Sequence, residues 1–508
     1  MPPYKAMLGL TVCLVGIYFA LVSTGFGPYL TDSHPFRQTQ TAITARYFSG
    51  FGDFLTYQTP ILGLPWSIPF EFPLYQALAK GLHVASGLSL ESSGRLVSIA
   101  FFLLCFWPLH CLLRAWQVRN TPLVMAAVLL APLYVFWSRA FMIETTALFF
   151  ALSYLALFMR AVKSAHGGAA EFLLLTVAGV LAALTKITTV LPLLLVTGGV
   201  TAWLALRAMQ RREALAGPLK LALAQTVIVV VALAWIAHTD AVKLLNPWGP
   251  QLTSSALRRW NFGPLSQRVD PMIWFALANN TVDMFFPFPR TLAWLKGLLT
   301  FGWVTLFVYF LSRCAPVRRR QALLLCGLFL LPFGLFTNLH RIHDYYQVAN
   351  GWLLCLAFGL AACGAIEVAP DARRMKRALG LYVMALLVFG LNSLWYLHFM
   401  STYRGTLVDL SAQVQRMSTP DSVIVISGLD WSAVLPYQAS RRALMLPVWT
   451  PPTTIATALA RLRASGLTVS LYVACGKSTV LDVQVREALP LRDQLPLARS
   501  DDCAIYQF

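Results

Sequence analysis

The sequence predicts a polytopic α-helical membrane protein with a small α/β domain at its C-terminal end. Three observations predict it. Only 12% of the 508 residues are charged and 57% are hydrophobic, whereas soluble domains carry about twice that charged share. Eleven apolar runs approach the roughly 20 residues that a helix needs to cross a bilayer. The formal net charge of +19 is gathered in short clusters between those runs, the pattern of cytoplasmic loops. Charge placed in this way argues against nucleic acid as a partner and for membrane lipids.

The runs cover residues 6–22, 96–113, 122–137, 141–159, 169–184, 187–206, 219–237, 292–311, 322–336, 348–366 and 378–397. The first is read as a span. It is long for a signal-peptide core, lacks a small-residue cleavage site and leads into polar sequence. Only Thr185 and Lys186 separate the fifth run from the sixth.

Orientation follows from the basic clusters. These are Arg114 and Arg119; Arg160 and Lys163; Arg207, Arg211, Arg212 and Lys220; Arg313, Arg318, Arg319 and Arg320; Arg373, Arg374, Lys376 and Arg377. With eleven spans, all fall on one face, which the positive-inside rule makes the cytoplasm. The expected location is the plasma membrane (the inner membrane of a bacterium), with the N-terminus inside. A transmembrane domain 1–400 then carries a first outer loop 23–95 and a second outer loop 238–290, and a domain 401–508 lies outside.

In the first loop, "QTAITARYFSGFG" and "EFPLYQALAKGLHVASGL" have helical apolar spacing and read as amphipathic helices lying on the membrane surface. The tail changes texture. "DSVIVISG", "LTVSLYVACG" and "CAIYQF" read as strands, and "TTIATALARLRASG" as a helix stopped by Gly466, which together suggest an α/β domain. Cys475 and Cys503 are either a disulfide or two buried thiols. The other cysteines, mostly in apolar runs, read as small hydrophobes.

Five polar features converge on the outer face. Asp32 follows the first span, within a few residues of Arg37, Gln38 and Gln40. It is either a solvated cap or a catalytic base, and Arg37 with the two glutamines can hold phosphate or sugar hydroxyls. Glu71, in "FEFPLYQ", is either a charge at a helix start or a second carboxylate. Two such acids can share a divalent cation or divide base and positioning roles. Glu144 sits just inside the fourth span. It either pairs with Arg139 or another base, or acts on substrate. Lys186 reads as a snorkelling lysine or a cation for an anionic head group. "TNLHRIHDYYQVANGW" supplies His340, Arg341, His343, Tyr345 and Tyr346, a cationic, hydroxyl-rich patch suited to phosphate. Its His-x-x-His lacks a third ligand of clear spacing for a metal.

In order and placement these motifs resemble the GT-C membrane glycosyltransferases of the ArnT and protein O-mannosyltransferase type. The likeness runs through the first ten or eleven spans and is carried by Asp32, "RQTQTAITARYF", the Glu-x-Pro element "EFPLYQ", "IETTALFFALSYLALF", "LTKITTVLPLLL" and "HDYYQV". The resemblance implies a donor sugar on a polyprenyl phosphate, a lipid, glycan or protein acceptor, and inversion at the anomeric carbon with Asp32 as general base. Arg37, Lys186, Arg341 and His343 are the cations available to a phosphate leaving group. One position departs: Phe72 stands where relatives of the ArnT type often have Lys, so that phosphate contact is not carried over. The competing reading is a transporter or flippase of lipid-linked saccharides. The absence of internal symmetry between halves speaks against it.

Overall fold

A computed structural model describes residues 4–24, 26–27, 29–163, 168–402, 407–476, 479–489, 491, 494–500 and 502–507. The junction at 403–406 and the last residue of "CAIYQF" lie outside the described residues. Six helices are long and apolar enough to cross a membrane: Leu90–Ala115, Glu144–Lys163, Ala169–Arg211, Ala216–Lys243, Ala293–Arg313 and Ala372–Met400. Gly9–Ser23, Thr121–Leu130 and Gly351–Glu367 are shorter apolar helices. In Ala293–Arg313 only 6% of the apolar window is buried against protein, so its exposed Leu298, Phe301 and Val308 have lipid as their natural solvent.

The chain forms two compact units. The first comprises Met1–Phe26, Ser98–Leu233 and Arg258–Met400. Its centre is Gly351–Glu367, buried at every residue from Gly351 to Ile366 except Leu354. Gly359 lets this helix approach Thr121–Leu130 closely, since a Cβ there would lie 2.5 Å from the Val124 carbonyl oxygen. Phe358 stacks on Trp303 at 4.6 Å. Two buried phenols in the bundle find the partners that a low-dielectric setting favours: Tyr18 Oη lies 2.8 Å from Ser138 Oγ, and Tyr382 Oη donates to the Leu123 carbonyl at 2.8 Å. Thr121–Leu130 ends at Ala131, because Pro132 cannot continue the hydrogen-bond ladder; Pro132–Trp137 restarts it.

The helical stretch Ala169–Arg211 is interrupted at Lys186, which is extended at φ −164° and ψ 97°. Tyr154 touches both sides of the break. Its ring lies 3.0 Å from where a Gly179 Cβ would sit, and its hydroxyl lies 2.7 Å from Thr197 Oγ1. In a straight helix Gly179 and Thr197 would stand about 27 Å apart. The chain therefore folds back at Lys186 into two adjacent arms.

The second unit comprises Gly27–Val97, Ala234–Leu257 and Ser401–Phe508. Its sheet contains β1 (Val423–Ser427), β2 (Arg442–Leu446), β3 (Val469–Cys475), β4 (Ala498–Ser500) and β5 (Cys503–Gln507), in the order β2-β1-β3-β5-β4. β1 is parallel to β2 and β3, and β5 is antiparallel to β3 and β4. Helix Pro452–Ala464 lies between β2 and β3 in the chain, the crossover that a parallel pairing needs. Cys475 and Cys503, opposite each other on β3 and β5, form a disulfide. Residues of the first loop cover the free edge of β2: Ala443 N–H donates to the Pro60 carbonyl at 2.9 Å and Met445 N–H to the Ile61 carbonyl at 2.8 Å. Backbone pairing of this kind joins loop and tail into one unit and protects an edge that would otherwise be open.

Helix Pro35–Arg46 departs from the expected surface helix. It is buried from Gln38 to Ala45, because Thr39, Thr41 and Thr44 return their hydroxyls to the preceding turn and present small, satisfied surfaces to the core.

Candidate active site

The predicted residues gather into two groups, one in each unit. In the second unit, His34 adopts the left-handed conformation (φ 54°, ψ 52°) ahead of Pro35 at the start of helix Pro35–Arg46. Gln38 Nε2 in the first turn donates to Asp32 Oδ1 at 2.5 Å and to the Ser33 carbonyl at 2.9 Å. Arg95, which no motif singled out, reaches Asp32 Oδ2 at 3.4 Å and the Tyr29 carbonyl at 3.3 Å. Asp32 is 9% exposed and Arg95 1%. The available signal was an arginine at the lip of the apolar run "LVSIAFFLL", a position where a charge needs a partner.

The neighbouring Arg37 forms an ion pair with Glu71 and donates through Nη1 to Gln40 Oε1 at 2.7 Å. Glu71 is presented by a braced segment. The Tyr57 hydroxyl accepts from the Phe70 N–H at 2.7 Å and donates to the Glu71 carbonyl at 2.9 Å. Burial, reinforced by the Glu71 charge, pushes the Tyr57 phenol up, so it remains a donor. Trp235 Nε1 holds the Phe70 carbonyl at 2.9 Å. Phe72 stacks on Phe54 and meets the Trp235 edge, both at 5.3 Å; an aromatic cluster takes the place of a cation there.

Both acids are thus held by consecutive side chains of one helix, Asp32 by Gln38 and Glu71 by Arg37. Asp32 also faces the Arg95 guanidinium, at 3.4 Å. Among the described residues no three His, Cys, Asp or Glu side chains come together as a metal-ligand set.

In the first unit, Glu144 and Lys186 form a two-pronged buried ion pair, with Nζ 2.7 Å from Oε1 and 2.6 Å from Oε2. Glu144 is 2% exposed and Lys186 4%. Glu144's partner is therefore the fold-back lysine, while Arg139 donates to the Thr24 carbonyl. Lys186 Nζ also lies 3.9 Å from the Tyr346 ring centroid and 5.2 Å from that of Tyr345, a cation–π seat. Tyr345 and Tyr346 stack at 4.9 Å, and His343 packs on Tyr345 at 5.3 Å. His340 lies 4.7 Å from Phe333. Burial, and secondarily the Lys186 charge, push its imidazole down to about 3, which fixes it in the neutral form. Arg341 is exposed, and its guanidinium makes no hydrogen bond or ion pair among the described residues.

No protein-family model matches the sequence. No curated protein matches it either. Solved structures do. The chain superposes on ArnT from Cupriavidus metallidurans bound to undecaprenyl phosphate with a TM-score of 0.63, at 15% identity over 98% of this chain and 97% of that one. The apo state of the same protein gives 0.63 at 14% identity, over 98% of both chains. The oligosaccharyltransferase AglB from Archaeoglobus fulgidus, in complex with an inhibitory peptide and a dolichol-phosphate, gives 0.50 at 16% identity over 92% of this chain and 69% of that one. The likeness to ArnT runs nearly end to end, tail included, and the chain has the fold of the GT-C membrane glycosyltransferases.

Proposed function

We propose that the protein is a polyprenyl-phosphate-dependent glycosyltransferase that acts at the extracytoplasmic face of the bacterial inner membrane. It has eleven spans, a cytoplasmic N-terminus and the domain 401–508 outside. The observation that carries the reading is the clamp on Asp32: a carboxylate in the segment that follows the first apolar helix, held by Gln38 and Arg95 beside the braced Arg37–Glu71 pair.

The chemistry is an inverting displacement. The acceptor hydroxyl oxygen bonds to the anomeric carbon while the bond from that carbon to the phosphate oxygen breaks. Asp32 takes the hydroxyl proton, and the polyprenyl phosphate departs as the anion. Gln38 and Arg95 aim the Asp32 carboxylate, since a general base must lie within hydrogen-bond reach of its proton. Glu71, fixed by Arg37 and through it by Gln40, orients the reacting sugar or acceptor by accepting from its hydroxyls. In the first unit, Arg341, whose guanidinium makes no hydrogen bond or ion pair among the described residues, is a cation of the kind that suits an anionic head group. Lys186 carries a charge already answered by Glu144; with Tyr345, Tyr346 and His343 it forms an aromatic and cationic cluster in the first unit.

The test is transfer from polyprenyl-phosphate-linked sugars by purified wild type and Asp32→Asn. Turnover should fall by about 100-fold or more, the scale of lost general-base catalysis, with donor binding retained. Unchanged turnover refutes the base assignment. A wild type that moves the lipid without cleaving it refutes the transferase.

A further inference from the structure

The loop after β1, "GLDWSA", is shaped to present one side chain. Gly428 has φ +82°, and a Cβ there would collide with the Cys475 carbonyl. Asp430 has φ 53°, a conformation that costs a non-glycine residue of order 1 kcal/mol or more and persists only where its surroundings impose it. Trp449 Nε1 donates to Asp430 Oδ1 at 2.9 Å beside it. The residue delivered is Trp431. Its ring meets Phe36 at 5.7 Å and Phe70 at 6.1 Å. Phe36 directly precedes Arg37, and Phe70 directly precedes Glu71. All three rings are partly exposed, and the Trp431 indole N–H makes no hydrogen bond among the described residues. The loop lies beyond the carboxyl end of β1, whose two neighbours β2 and β3 are both parallel to it. That is the switch point of the strand order, where open parallel sheets collect ligands.

We infer that Trp431, with Phe36 and Phe70, is a stacking platform for the sugar ring of the lipid-linked donor, contributed by the C-terminal region to the Asp32 and Glu71 group. The C–H bonds on one face of a sugar are weakly positive and suit the negative face of an aromatic ring. The free indole N–H offers a hydroxyl a donor, and the flanking carboxylates supply acceptors. The inference rests on the glycosyl-transfer reading and adds a residue that selects the sugar rather than the lipid phosphate.

The experiment uses the full chain in detergent. Wild type, Trp431→Phe, Trp431→Leu and Trp431→Gln are titrated with two probes: undecaprenyl phosphate, and undecaprenyl phosphate carrying a pentose or a hexose. Trp431→Leu should lose about tenfold in affinity for the sugar-bearing probe and nothing for the bare lipid. Trp431→Phe, which keeps a ring, should stay within about threefold. Trp431→Gln, which keeps a polar head without a ring, should behave as Trp431→Leu and stands in for it should that variant not fold. Unfolding midpoints confirm that the variants remain folded. Equal loss on both probes, or no loss on either, overturns the platform and leaves the transferase reading standing. A wild type that binds neither probe overturns both.

Discussion

Lys186 offers the sharpest test of how this fold handles charge. Its ammonium is shared between Glu144, at 2.6 and 2.7 Å, and the Tyr346 ring at 3.9 Å. Both charged side chains are almost fully out of solvent. Removing one partner of such a pair leaves the other as an uncompensated buried charge, which costs about 3–5 kcal/mol. Lys186→Met is expected to lie in that range, with the loss of the cation–π contact adding about 1–2 kcal/mol. Glu144→Gln should cost less, because the amide still accepts from Nζ and the rings still face the ammonium. The double variant is the informative one. With no charge left to strand, it should recover to within roughly 1–2 kcal/mol of wild type, since a neutral replacement of a buried pair is often close to neutral. A double-mutant cycle from equilibrium unfolding in mixed micelles should therefore give a coupling of about 3 kcal/mol or more. Additive single effects, or a Lys186→Met loss below about 1 kcal/mol, would refute the reading of Glu144 and Lys186 as buried charges that compensate each other.

His340 and Arg95 carry two further expected outcomes. His340 is held neutral, with its imidazole pushed down to about 3 from an ordinary value near 6.5. As pH falls below about 6.5 the unfolded chain binds a proton that the folded chain refuses, so stability drops by about 1.4 kcal/mol per pH unit until near pH 3. His340→Gln should flatten this slope when unfolding midpoints at pH 7.5 and 5.0 are compared; a variant as acid-sensitive as wild type would exclude His340 as the source. Arg95→Met should lower kcat by about tenfold or more with donor KM unchanged, because it frees the Asp32 carboxylate without touching donor contacts. Arg95→Lys should recover part of the loss, and a raised KM at constant kcat would place Arg95 in binding instead.

The legible part of this protein is what local chemistry dictates. Apolar runs, a period of 3.6 and the break at Thr185-Lys186 are properties of neighbouring residues, and the helices and the fold-back at Lys186 lie where those signals stand. The β-branched runs of the tail likewise coincide with β1, β3 and β5, since a strand's preference is written in its own side chains. The candidate acids were legible for a similar reason: an ionisable group beside a membrane span is costly enough to be conspicuous.

Partnership was not legible, because it links residues far apart in the chain. Asp32 finds Arg95 across 63 positions and Glu144 finds Lys186 across 42. Nothing in "SGRLVS" names an aspartate as the partner of its arginine. Arg37 reads from sequence as a phosphate ligand, and only packing commits it to Glu71. The buried state of helix Pro35–Arg46 and the approach of Trp431 to Phe36 also depend on the tail folding against the first loop. Composition and period are enough for a membrane bundle, a polar cluster in the first loop and a small α/β tail. Tertiary structure decided which charges neutralise one another and which remain free to act, because Coulombic and hydrogen-bond partners are set by distance in space rather than along the chain.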